Sequence, residues 1–186
     1  MPQLQELAHG RDKVGITQMK TIIDALRENA QWIIEKFHGD YKSHKEALEA
    51  EGKPFEVLKF KGNCLLNEGI GELEDIIAGL GTPTKWDNSN AYLGVGDSST
   101  AAVATQTELL GSNKTYDGMD SGYPQRSTQE LSWKSTFGDA EGNHGWKEFT
   151  VSNTNSDTGK NLNRKVDDKG VKSGGTWVLT LKITIS

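Results

Sequence analysis

Apolar residues in the first part of the chain recur at steps of three and four. Met19, Ile22, Ile23, Leu26, Ala30, Ile33, Ile34 and Phe37 fall on one stripe, the pattern of an amphipathic helix with a single buried face. Thr17 stands where an N-cap hydroxyl belongs, and Gly39 stands just past the end, where a left-handed stop favours glycine. The spacing predicts a helix over residues 17–38. Residues 1–16 are polar, carry Gly10 and Gly15 without a sustained period, and read as an arm. Residues 45–51 extend helically until Gly52-Lys53-Pro54 stops them.

Period two takes over afterwards. Residues 55–61 alternate, and Leu65-Leu66 continue the strand after Gly62-Asn63. Residues 69–80 form a second short helix, with Ile70, Leu73, Ile76, Ile77 and Leu80 on one face. Strands follow at 91–95, 131–137 and 146–152. In the last run Trp177, Leu179, Leu181, Ile183 and Ile185 point one way and Val178, Thr180, Lys182 and Thr184 the other, as in a half-buried antiparallel strand. Turn-forming residues are dense between these runs. The expected fold class is α+β: an N-terminal arm (1–16), a helical segment (17–53) and an antiparallel β-sandwich-like domain (54–186) with a short helix at about 69–80.

Composition narrows the function classes. The 186 residues carry a net charge of −5, with 21 basic against 26 acidic side chains, which argues against a nucleic-acid binder that works by general electrostatics. No apolar run approaches the roughly 18–20 residues of a membrane span. The start lacks a basic n-region and an apolar h-region, so no secretory signal is expected. The single cysteine, Cys64, excludes an internal disulfide framework and a multi-cysteine zinc site; it reads as a buried structural thiol.

The candidate chemistry is thin. Gly94-Val95-Gly96-Asp97 contains G-x-G after a strand but lacks the third glycine and the helix of a dinucleotide site, and reads as a turn needing positive φ. Asp139, Glu141 and His144 fall close together in a Gly-rich loop, yet without the ligand order of a calcium or zinc motif. Asn153, Asn155 and Asp157 mimic part of an EF-hand loop, but Arg164 stands where its last ligand belongs. Ser98 and Ser99 are not in a nucleophile elbow, and no nucleophile, base and oxyanion hole can be assigned together. No enzyme, no metal and no cofactor is expected.

Five tryptophans carry more information. Trp133 and Trp177 fall in phase with neighbouring apolar residues and belong to the core, whereas Trp146 has no clear side. Trp32 stands at the edge of the helical stripe, facing a neighbouring subunit. Trp86, beside Asp87-Asn88, is the best exposed candidate. With Tyr92, Tyr116 and Tyr123 it makes a candidate contact for a glycan or partner.

The string Gly62-Asn63-Cys64-Leu65-Leu66-Asn67-Glu68-Gly69-Ile70 resembles a group of small virion structural proteins of tailed bacteriophages. So do Ala91-Tyr92-Leu93-Gly94-Val95-Gly96-Asp97-Ser98-Ser99-Thr100-Ala101-Ala102 and Gln106-Thr107-Glu108-Leu109. Gly122-Tyr123-Pro124, Asn163-Arg164 and the closing Trp177-Val178-Leu179-Thr180-Leu181 fit the same pattern, and the resemblance covers about residues 55–186. It implies a decoration or fibre-like component of the particle, made in the host cytoplasm and located in the virion, with no catalytic residues to carry over.

The expected function is therefore non-enzymatic, foremost a capsid decoration or cement protein that stabilises the mature shell. The alternatives are a tail, baseplate or fibre adaptor, and a carbohydrate-binding module for host surface glycans. The expected partners are itself, as a homotrimer, and the major capsid protein or tail proteins, with no nucleic acid and no membrane. The helix stripe of Met19, Ile22, Ile23, Leu26, Ile33, Ile34 and Phe37 is the expected assembly interface.

Overall fold

The computed structural model describes residues 29–184. Ten strands and two helices follow in the order β1 (Ala30–Phe37), α1 (His44–Glu51), β2 (Glu56–Lys61), β3 (Cys64–Leu65), α2 (Asn67–Ala78), β4 (Tyr92–Gly96), β5 (Lys114–Gly118), β6 (Gln125–Ser127), β7 (Glu130–Phe137), β8 (Glu148–Ser152), β9 (Asn163–Val166) and β10 (Thr176–Thr184). They form two five-stranded sheets, ordered β2-β1-β10-β7-β6 and β3-β9-β8-β4-β5. Every pairing is antiparallel. The β-sandwich-like architecture expected from the period-two runs is present.

The segment 30–37 corrects the helical reading. It is a strand, with Trp32 opposite Leu181 and Ile34 opposite Leu179 on one side, and Trp32 opposite Phe60 on the other. Ala30, Trp32 and Ile34 are buried while Gln31, Ile33 and Glu35 are half-exposed, so the period is two. Trp32 stacks on Phe60 inside the sandwich and does not face a neighbouring subunit. Ile34 and Phe37 are likewise buried within the chain. The expectations for Met19, Ile22, Ile23 and Leu26 lie outside the described residues. The boundary placed at residue 54 also falls away, because β1 is internal to the first sheet and belongs to the same body as β2 and β10.

Both other helices stand where the pattern placed them. Ser43 caps α1 by accepting from Glu46 N at 3.2 Å, and Glu46 Oε2 accepts from Lys42 N at 2.9 Å, a reciprocal arrangement close to a capping box. Gly52 closes α1 with φ 76°. Helix α1 covers a small second core of Phe37, Ala47 and Val178 on the outer face of the first sheet. In α2, Gly69 meets the backbone of Asn161 and Leu162 so closely that a Cβ would lie 2.5 Å from Leu162 Cα. Only glycine allows that approach.

The main core lies between the sheets and is aromatic. Trp146 packs edge-on against Phe137 and Trp177, both at 4.9 Å between ring centroids, a geometry the ring quadrupoles favour. Trp133 and Trp177 are core residues as expected, and Trp146 joins them.

Candidate interaction surface

Adjacent antiparallel strands are ordinarily joined by short turns. The connection from β4 to β5, residues 97–113, is instead a long excursion. Its base is closed by Asp97, whose carboxylate accepts from Asn113 N at 3.1 Å and Asn113 Nδ2 at 2.6 Å. These bonds hold the Asp97 carboxyl below its ordinary range.

One buried ion pair fixes the rest. Glu148 opens β8 and Arg164 lies in β9, and neither side chain is exposed. Arg164 Nε and Nη2 lie 2.7 and 2.6 Å from Glu148 Oε2. Glu148 accepts from Gly111 N at 2.6 Å and Leu110 N at 3.0 Å, while Arg164 Nη1 donates to Thr100 O at 2.9 Å and Gln106 Oε1 at 3.0 Å. Asn161 Nδ2 donates to Thr107 O, and Asn67 N at the start of α2 donates to Ala104 O. Charges this deep persist only when paired and hydrogen-bonded throughout. Here they tie both ends and the middle of one loop to the second sheet.

The outer side of the loop is different. Val103 is 52% exposed and Leu110 39%, with Ala101 exposed beside them, while Leu109 is buried as the anchor. The loop presents apolar side chains from a backbone that is already immobilised.

The strings that carried the virion resemblance converge here. The segments 62–70, 91–102, 106–109 and 163–164 supply Asn67, Thr100, Gln106, Thr107 and Arg164 to this network. Glu148 was missed by sequence reasoning. In the alternation of residues 146–152 it falls opposite Phe149 and Val151, on what reads as a solvent face, whereas in the fold it is enclosed by Arg164 of β9, Gly96 of β4 and the loop amides of Leu110 and Gly111.

The G-x-G pair is reinterpreted. Gly94 and Gly96 lie inside β4 and do not take positive φ. A Cβ on Gly94 would lie 2.7 Å from both Thr150 Cγ2 and the Tyr116 ring, so glycine serves close packing there rather than a turn.

The other sequence candidates separate. Trp86 is buried, 8% exposed, with Nε1 donating to Lys160 O at 3.2 Å; it is no exposed platform. Tyr92 and Tyr116 lie on adjacent strands, and Tyr116 donates to Asp157 Oδ1 at 2.8 Å. Burial and the Asp157 charge push the Tyr116 phenol up. Tyr123 lies before β6 of the opposite sheet, so the four aromatics do not make one surface. Cys64 is half-buried in β3, opposite Arg164.

The loop of Asp139, Glu141 and His144 holds a cation of the chain's own. The Lys172 ammonium, fully buried, donates to Gly138 O at 2.7 Å and Asn143 Oδ1 at 3.2 Å. Burial pulls its pKa down. Asp139 Oδ1 accepts from Gly175 N, Glu141 Oε2 from Gly138 N, and His144 Nε2 meets Thr115 Oγ1. Among the described residues no three metal-ligating side chains converge. Asn153 and Asp157 also part company, the first bonded to Lys160 N and the second to Lys114 and Tyr116.

Comparison with family models, curated proteins and solved structures finds no match to this chain. Among the described residues no helix is long and apolar enough to cross a membrane.

Proposed function

We propose that the chain is a non-enzymatic structural component of a tailed-bacteriophage virion, and foremost a decoration or cement protein that assembles as a homotrimer on the mature capsid. The observation that carries the reading is the loop 97–113, clamped from beneath by Glu148 and Arg164 with Val103 and Leu110 turned outward. Exposed apolar side chains on a fixed backbone suit a protein contact, because little ordering entropy is lost on binding. The convergence of the virion-like strings on this clamp supports the same reading. The mechanism is mass action: a protein that binds the assembled shell and not its dissociated subunits shifts the equilibrium toward the shell.

Particles produced from the genome that encodes the chain test this directly. Immunogold labelling should place the protein on the head, and light scattering of the purified protein should give three times the chain mass. A Val103→Asp/Leu110→Asp pair should remain folded and lose particle attachment. Label confined to the tail would replace the capsid reading with the adaptor one. A particle without the protein would end both.

A further inference from the structure

A second site lies on the first sheet, far in chemistry from the clamped loop. Two cavities of about 580 and 400 Å³ share Tyr123 and Lys134 among their lining residues. They form one groove on the outer face of the sheet, from α1 across β7 to β10, β1 and β6. Each volume lies within the roughly 300–1,000 Å³ range of small-molecule sites.

We propose that this groove binds a neutral oligosaccharide, with Tyr123 as the stacking platform and Gln125 and Arg126 as hydrogen-bonding arms. Charge balance is the first argument. The groove carries the cations Lys45, Lys134, Arg126 and Lys182. Against them stand the carboxylates Glu35, Glu49, Asp120 and Glu130. Four positive and four negative groups leave no net field for a polyanion or a polycation, and carboxylates in the groove repel nucleic-acid phosphates.

The mixed lining is the second argument. Tyr123, Ile33, Leu48 and the aliphatic stems of the lining lysines give apolar surface beside the charged and amide groups. Hydroxyl-rich rings, with C–H faces for an aromatic and O–H groups for charged and amide side chains, match that mixture.

Preorganisation is the third. Asn88 Nδ2 donates to the carbonyls of Asp120 at 3.3 Å and Tyr123 at 2.5 Å, and Tyr123 N donates to Asp120 O at 3.0 Å. Lys134 Nζ sits 4.8 Å from the Tyr123 ring centroid and 2.8 Å from His44 Nδ1. The wall that bears the ring is thus held before any ligand arrives. Arg126 commits Nη1 to Thr128 O at 2.7 Å, one donor of its five.

The test is a ¹⁵N NMR titration of the whole protein with a neutral arm (maltohexaose, cellohexaose, chitohexaose and a neutral bacterial-glycan array) and an acidic arm (oligogalacturonate and a dT oligonucleotide). A neutral member should shift the amide resonances of Tyr123, Gln125 and Arg126. Its affinity should fall about tenfold or more in Tyr123→Ala, a half-exposed position, and in Gln125→Ala/Arg126→Ala, where both side chains are exposed and their loss leaves the fold intact. Phe55→Ala, an exposed aromatic elsewhere, should bind as the parent does. Silence across the neutral arm, or tighter binding by the acidic one, overturns the proposal.

Discussion

Glu148 and Arg164, on adjacent strands, share one buried carboxylate oxygen, with Arg164 Nη2 2.6 Å and Nε 2.7 Å from Glu148 Oε2. Removing one partner strands the other charge. Glu148→Gln should therefore cost about 3–5 kcal/mol in urea unfolding. Hydrogen exchange at Leu110 and Gly111 should accelerate in parallel, because their amides lose a charged acceptor. Parental stability and exchange in this variant would remove the loop-clamping role.

Asp117 sets a pH dependence. Burial first, and the charge of Glu141 next, push its carboxyl from 3.8 to about 7, with Asp120 acting in the same direction and the Gly118 and Thr136 amides opposing. Between those two values the folded state binds more protons than the unfolded one, so stability attributable to this group falls as pH rises and levels off above about 7. Asp117→Asn should raise stability on the order of 2–4 kcal/mol at about pH 8 and lose that advantage below about pH 4. Urea midpoints across that range measure it, and parallel curves for the two proteins would refute the assignment.

The Lys172 ammonium ties together the loop at 138–145. Lys172→Met should cost about 1–3 kcal/mol, since Gly138 O and Asn143 Oδ1 lose their donor. Thermal melting of the parent should be indifferent to EDTA. A drop on chelation would mean that a metal, and not the ammonium, organises the loop.

Two glycine substitutions should have opposite signs. Gly94→Ala places a methyl 2.7 Å from Thr150 Cγ2 and the Tyr116 ring and should destabilise by about 1–3 kcal/mol. Gly71→Ala, in α2 with nothing within 4 Å of the new Cβ, should stabilise by about 0.5–1 kcal/mol. Denaturation midpoints decide both.

Neighbouring isoleucines separate strand from helix. In β1, Ile34 faces the core and Ile33 the half-exposed side. Ile34→Asp should prevent folding or cost more than about 3 kcal/mol, whereas Ile33→Asp should be tolerated. A helical stripe would make the two equally sensitive, and circular dichroism melts distinguish the cases.

Much of the fold was legible because its cause is local. The alternation that begins at Trp177 belongs to β10, Thr176–Thr184, whose core face carries Trp177, Leu179, Leu181 and Ile183; the expected half-burial is exceeded, because Val178 and Thr180 on the other face are buried as well. The Gly52 stop and the caps around α1 act within a few residues of the helix they bound. Of the candidate contact residues, Tyr123 stands at a groove, but Trp86 was misread. A tryptophan beside Asp87-Asn88 gives no sign that Lys160 O will accept its indole N–H from across the fold.

By itself the sequence determined the strands that became β4, β7, β8 and β10, the two short helices and the aromatic core residues Trp133 and Trp177, because side-chain periodicity and capping are short-range, whereas β5, β6 and β9 were not among the expected strands. Tertiary structure decided the rest. Residues 30–37 satisfy both the helical and the strand period, and pairing with β10, about 150 residues away in the chain, selects the strand. Glu148 lies on a polar face by local pattern and is buried in the fold between Arg164 of β9, Gly96 of β4 and the 97–113 loop. Long-range pairing and desolvation depend on which distant segments meet, and no local pattern encodes that.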